Sequence, residues 1–212
     1  NYAGAIVINP TEPGRHENVS VLDYTSLYPT MVMAFNISPE TFIISQAQAE
    51  KIEVDIDTDI IPELIASNID FVDTGYDDEL FGKRYLFYSH SHQVGIMPTV
   101  LRKLFTERQA ITKKLYAGEY SEEEAVNKDK RQQAYKLILN SSYGALGFNF
   151  FRLYTPECAD AITFFARKAA KHAIKEFNET HGHPVLYADT DSCYIKSNDS
   201  SKEEILEKLE EF

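Results

Sequence analysis

The sequence predicts an α+β chain on three observations. A β-rich run passes straight into a helix start near residue 24, two long helical stretches are separated by only a few residues, and two short β-rich runs flank a polar turn near residue 190. At 212 residues with 43% hydrophobic side chains, the length suits one large domain or two modest ones and is ample for a packed core.

NVSVLDY, from Asn18 to Tyr24, is rich in β-formers and ends near an acid; TSLYPTMVMAFN then opens with hydroxyl residues able to cap a helix and carries proline early. From Pro98 to Gly118, Leu101, Leu104, Phe105, Ile111 and Leu115 recur at helical spacing before a glycine stop. From Ser121 to Gly144 a second helix is expected, because Ser121 stands three residues before Glu124 in a capping-box pattern and Gly144 offers an end. Two helices joined by so short a turn form a hairpin. A third helical pattern, ADAITFFARKAAKHAIKEFN, precedes PVLYADTDSCYIK, a β-hairpin with acids at its tip. There is no internal repeat and no low-complexity linker.

Charge excludes one class of protein and narrows another. With 21 Lys+Arg against 33 Asp+Glu the formal charge is −12, so the chain does not coat nucleic acid through bulk positive charge. Residues 53–80 carry ten acids and no Lys or Arg, read here as a solvated surface insertion (about 51–80) with a short helix near IPELIAS. Residues 199–212 add a net −4, which leaves +2 for the rest, so any nucleic-acid site is local. Cys158 and Cys193 form no C-x-x-C pair and read as core thiols in a reducing compartment. No apolar run reaches the roughly eighteen residues of a membrane span, so a soluble chain without a membrane partner is expected. A start at Asn1 and an end within an acidic helical pattern are what a fragment of a longer protein shows.

Three places concentrate chemistry. Asp189 and Asp191 sit two residues apart, which puts both carboxylates on one side of the chain; they repel unless a cation compensates, and hard oxygen ligands favour Mg²⁺. A plain polar turn is the alternative. A calcium EF-hand is excluded, because its sixth and twelfth positions fall on Tyr194 and Ser200; the run Asp55, Asp57, Asp59 meets Ile60 and Ala66 there. Asp23 ends a strand just before a helix N-terminus, where free N–H groups suit phosphate oxygens while the acid holds a metal; Tyr28 lies one turn in. The plain alternative makes Asp23 a cap and Tyr28 a core aromatic. Lys136, Asn140 and Tyr143 recur at i, i+4 and i+7 on one helix face, and the preceding helix offers Arg108, Lys113 and Lys114. From Arg102 to Lys136 nine basic residues face six acidic ones. The pairs His90/His92 and His181/His183 lack a third ligand and read as ordinary histidines rather than a zinc site.

These strings resemble, in order, the motifs of family B DNA polymerases, closest in feel to bacteriophage replicative enzymes. DYTSLYPT (Asp23 to Thr30) resembles the first carboxylate motif D-x-x-S-L-Y-P-S, with threonine for the last serine. KLILNSSYGALG (Lys136 to Gly147) resembles K-x-x-x-N-S-x-Y-G, and YADTDS (Tyr187 to Ser192) resembles Y-x-D-T-D-S. YAGA at Tyr2 to Ala5 resembles the element before the palm, and GIMPTVLRKLFTER resembles the approach to the fingers arginine. Thr112 stands where many relatives carry a second basic residue, and no segment resembles the exonuclease, the later palm lysine motif or the thumb.

The resemblance implies an antiparallel palm sheet with packed helices, interrupted by a two-helix fingers hairpin: palm over 1–95, fingers over 96–147, and a truncated second part of the palm over 148–212. It implies template-directed DNA synthesis, with primer-template DNA and deoxynucleoside triphosphates as substrates and two Mg²⁺ ions, Mn²⁺ being a substitute. Asp23 and Asp191 would bind the metals, with Asp189 in a supporting role and the Tyr24 carbonyl as a further ligand. Ser26 and Leu27 N–H groups would take triphosphate oxygens, and Tyr28 would stack under the sugar and exclude a ribose 2′-hydroxyl. Arg108 and Lys136 would grip phosphates, Asn140 and Tyr143 would line the base-pair pocket, and Gly144 would leave room for the template. The exonuclease and thumb would lie on the parent chain or a separate one, and the expected setting is the cytoplasm of a virus-infected cell. Two rivals are an aspartate-nucleophile phosphohydrolase, which needs more catalytic sequence after its D-x-D than follows here, and an inactive component of a split polymerase.

Overall fold

The computed structural model describes residues 4–76, 83–180 and 182–196; the expectations for Tyr2, for the last acids of the 53–80 run, for His181 and for the 199–212 helical pattern lie outside them. The described residues form two compact units, one within 26–165, the other of 4–25 with those from 166 to 196.

The discontinuous unit is built on a four-stranded antiparallel sheet. Its strands are β1 (Val7–Ile8), β2 (Val19–Asp23), β6 (Val185–Asp189) and β7 (Ser192–Lys196), in the order β1-β6-β7-β2. Alternation along β7 sends Cys193 and Ile195 inward and leaves Tyr194 partly exposed, as a period of two requires. The inward set meets Val185, Ala188, Ala173 and Phe177 in one apolar cluster, with Leu22, Tyr24 and Ile8 at its margin. Ala173 and Phe177 come from the end of helix α6 (Pro156–Lys175) and the π-helical turn Glu176–Thr180. Small residues at Ala166, Ala170 and Ala173, spaced at i, i+4 and i+7, make the buried stripe of this part of α6. Both cysteines are buried and unbonded, as core thiols should be, and burial raises their pKa values.

The larger unit contains a second, separate sheet. Strands β3 (Phe42–Ser45), β4 (Phe71–Asp73) and β5 (Tyr85–Tyr88) pair antiparallel in the order β3-β5-β4. The single sheet expected from the resemblance is thus two, because the strands between 42 and 88 find their partners among themselves. β5 reads YLFY without polar alternation, and Tyr85, Leu86 and Phe87 are all buried. Helix α1 (Leu27–Ala34) buries Leu27, Met31, Val32 and Met33. The expected helical hairpin is α4 (Ile96–Tyr116) and α5 (Glu122–Leu146), joined across Gly118 at φ 66°. Ser121 and Glu124 form the expected capping box. Arg131 and Tyr135 of α5 both reach Glu107 of α4, at 3.1 and 2.6 Å.

Three local expectations need correction. Ser26 is the N-cap of α1 but makes no side-chain cap bond: its backbone is left-handed, φ 56°, whereas a capping hydroxyl requires an extended backbone to reach the next turn. Gly144 does not end α5, which runs on to Leu146 with Gly147 as its C-cap. The acidic run is not a loose solvated insertion. After α2 (Gln46–Lys51), it holds a π-helical turn at Ile56–Ile60, α3 (Ile61–Ala66) at the expected IPELIAS helix, and β4, and it contributes Ile56 and Leu64 to a core with Ile44, Ala49 and Leu86.

Arg84 is what reconciles that run with its charge. The guanidinium is buried, donates from Nε and Nη2 to the two oxygens of Asp73 at 2.9 and 2.6 Å, and from Nη1 to Asp57 at 3.0 Å, with the Tyr76 ring 4.9 Å from its carbon. Asp55 meanwhile accepts from the Asp57 and Thr58 N–H groups, so its carboxylate serves as a local cap. A second buried acid, Asp160, accepts from Lys83 at 2.7 Å and from the Tyr85 hydroxyl at 2.6 Å.

Candidate active site

Strand register brings the three motif acids to one end of the four-stranded sheet. Ser192, first residue of β7, pairs with Asp23 on one side and Asp189 on the other, so both acids stand in the same row across β2, β7 and β6. Asp191 lies in the two-residue loop beside that row, and its carbonyl accepts the Tyr24 N–H at 2.7 Å. Acids separated by about 170 residues of chain become neighbours because two hydrogen-bonded ladders share one middle strand.

The loop carries local strain. Thr190 has φ 55°, in the left-handed region that β-branched residues rarely enter, and its hydroxyl donates to Asp189 Oδ1 at 2.9 Å. The Tyr187 hydroxyl donates to Asp189 Oδ2 at 3.2 Å. Both oxygens of Asp189 therefore have partners within the hairpin.

Asp23 and Asp191 differ from Asp189 in this respect. Among the described residues neither makes a side-chain ion pair, and Asp23 is exposed. Partial burial, then the negative charge of Asp23, push the pKa of Asp191 above the ordinary aspartate range. Two uncompensated hard-oxygen donors that repel one another fit a divalent cation of the Mg²⁺ kind. Among the described residues no three His, Cys, Asp or Glu side chains converge into a metal-binding group. His90, His92 and His183 belong to no such group. Tyr24 turns its ring inward, where its hydroxyl donates to the Ala169 carbonyl at 3.3 Å and burial raises its pKa.

The other candidates belong to the larger unit. Leu27, the first residue of α1, is buried, and the half-buried Tyr28 meets Tyr143 of α5 with ring centroids 4.6 Å apart at 37°. The two aromatics chosen on sequence grounds are therefore in contact. Lys136, Asn140 and Gly144 are exposed along α5, and a side chain at Gly144 would meet nothing within 4 Å. On α4, Arg108 Nε and Thr112 Oγ1, one turn apart, are buried and without a hydrogen-bond partner among the described residues. Buried orphans of this kind each cost on the order of 1–3 kcal/mol. Thr112 was visible in the sequence only as a missing cation; its orphaned hydroxyl is a feature of packing.

The chain belongs to DNA polymerase family B, whose model it matches over residues 1–212. It is 30% identical over 99% of its length to "DNA polymerase 2" of Aeropyrum pernix and 32% identical over its whole length to the DNA polymerase of Pyrococcus glycovorans, spanning 23% of each. To the DNA polymerase alpha catalytic subunit of Mus musculus it is 29% identical over 96% of its length, spanning 12% of that protein. Among solved structures, the family B DNA polymerase of the hyperthermophilic archaeon Pyrobaculum calidifontis matches 99% of the chain with a TM-score of 0.63 and 29% identity, the chain covering 24% of that structure. The chain thus spans about a quarter of the length of its archaeal relatives.

Proposed function

We propose that the chain is the palm-and-fingers part of a DNA-directed DNA polymerase, carrying out nucleotidyl transfer from a deoxynucleoside triphosphate to a primer 3′-hydroxyl. The observation that carries this reading is the row of Asp23, Ser192 and Asp189 with Asp191 beside it, in a chain of DNA polymerase family B. Asp23 and Asp191, with the Tyr24 carbonyl, would hold two Mg²⁺ or Mn²⁺ ions, which supply neutralisation of phosphate charge and a lowered pKa for the attacking hydroxyl. Asp189 orients the hairpin through Thr190 and Tyr187 and is a supporting residue.

Arg108, with its orphaned Nε, and Lys136 receive triphosphate oxygens as charge-assisted donors. Ser26, only three residues along the chain from Asp23, and Leu27 offer main-chain N–H groups to the same phosphates. Tyr28 sits under the sugar and rejects a 2′-hydroxyl, its ring held by Tyr143, while Asn140 and Gly144 border the nascent base pair. The helical hairpin α4–α5 corresponds to the fingers and the four-stranded sheet to the palm. Exonuclease and thumb functions would belong to regions beyond the span matched here, on the same polypeptide or a separate one.

Primer extension with Mg²⁺ and four deoxynucleotides, by the chain alone and together with a polypeptide supplying those regions, tests the reading. Extension that disappears in Asp191→Ala is expected; extension that persists in that variant removes Asp191 from the site. Tyr28→Ala should raise ribonucleotide use relative to deoxynucleotide, and an unchanged ratio takes Tyr28 out of sugar selection.

A further inference from the structure

Helix α4 has no cap of its own. Its N-cap is Gly95, which has no side chain, yet the first three N–H groups of its N-terminus all have side-chain acceptors from the loop after α1. Gly95 N–H donates to Asn36 Oδ1 at 2.8 Å, Ile96 N–H to Glu40 Oε1 at 2.5 Å, and Met97 N–H to Ser38 Oγ at 3.3 Å. The Ser38 hydroxyl donates to the other Glu40 oxygen at 2.7 Å. Asn36 is fully buried at φ 55°, and its amide nitrogen donates to the Tyr88 and Gln93 carbonyls at 2.8 and 2.6 Å. Thr41 closes the loop by donating to the Asn36 carbonyl at 2.6 Å. A Cβ on Gly95 would lie 2.8 Å from Ser38 Cβ, so the approach of helix to loop admits only glycine there.

Partial burial raises the Glu40 pKa, but bonds from the Ile96 N–H and the Ser38 hydroxyl outweigh it and hold the carboxyl below the usual range. The group is therefore an anion at the positive end of α4. This fastening is polar, charged and placed at the root of a 21-residue helix. Arg108 lies twelve residues beyond Ile96, about 18 Å along the axis, so a tilt of about 10° at the root moves it by about 3 Å, more than a hydrogen bond tolerates. Because α5 is tied to α4 through Glu107, Lys136 travels with it.

We propose that Glu40, with Asn36 and Ser38, is a positioning element for nucleotide binding: it caps α4 from outside and sets the angle at which the hairpin leaves the α1 loop, and thereby the places of Arg108 and Lys136. This rests on the reading of those two residues as triphosphate ligands. The carboxylates of the sheet are not part of the fastening, so its loss weakens nucleotide capture without slowing the chemical step.

The test uses the primer-extending polypeptide with Glu40→Ala and Glu40→Gln. Glu40→Ala should raise KM for deoxynucleotide about tenfold while leaving kcat within about twofold, and Glu40→Gln, which keeps an acceptor for Ile96, should recover most of the loss. Hydrogen exchange in the same variants should show Ile96 and Met97 amides losing protection in Glu40→Ala while Val185–Lys196 stays protected. Unchanged exchange at Ile96 overturns the cap. Exposed amides with unchanged KM overturn the positioning role, as does a fall in kcat that matches general loss of protection. If the parent polypeptide itself neither binds nor uses deoxynucleotides, it is the polymerase reading that fails, and the proposal fails with it.

Discussion

The two acid-rich regions of the chain have similar composition and opposite physics. Between residues 53 and 76 three of the seven acids are answered within the fold: Asp57 and Asp73 share the buried Arg84, and Asp55 caps its own turn. At the end of the four-stranded sheet, Asp23 and Asp191 have no Lys or Arg partner among the described residues, and partial burial, then the charge of Asp23, makes Asp191 resist ionisation. The lesson is that a count of acids does not separate a structural cluster from a ligand site. Whether an internal cation answers them does.

Four changes test that contrast, from the largest effect down. Asp191→Asn should cut nucleotide incorporation by about a thousandfold or more, with little loss of fold, because it removes repulsion rather than a partner; a collapse in thermal stability instead would make Asp191 a structural acid like Asp73. Arg84→Met should do the reverse, lowering unfolding free energy by about 1–3 kcal/mol because it removes the buried guanidinium that Asp73 and Asp57 share, and an unchanged urea denaturation midpoint would show that the pairing contributes nothing. Mg²⁺ at ten times its dissociation constant should stabilise the wild-type chain by about 1.4 kcal/mol and Asp191→Asn by much less, read as a shift in melting temperature. An equal shift in both would place the ion elsewhere.

The smallest effect is on pH dependence in metal-free buffer. Burial and Asp23 raise the folded-state pKa of Asp191, so the folded chain holds that proton more tightly than the unfolded one. Stability therefore falls as pH rises from the ordinary aspartate range through the raised folded value, and the penalty is fully present above it. Asp191→Asn should flatten that part of the curve, whereas Arg84→Met should leave its slope in place.

Local signals were legible to the extent that they were local. The Ser121 capping box, the Gly118 turn, the DTDS hairpin and the common face of Lys136, Asn140 and Tyr143 follow from spacing, and the order of the motifs pointed to the family. The stop falls at Gly147 rather than Gly144 because a glycine can sit within a helix when packing carries it, here with Leu139 and Leu146 buried on either side. That the Ser26 hydroxyl does not cap α1 is not legible because residue type does not reveal φ. The acidic run reads as solvated because its cation, Arg84, lies beyond residue 80, and no window of sequence shows which acids a later arginine will reach.

By itself the sequence determined the alternation of elements, the family and the identity of the acids, since these depend on residue type and near spacing. Only the tertiary structure decided that Asp23 joins Asp189 through Ser192, that the strands from 42 to 88 form their own sheet, and that Glu40 caps a helix 56 residues further on. Those are pairings across long stretches of chain, chosen by which burial and hydrogen bonding the whole fold can satisfy at once.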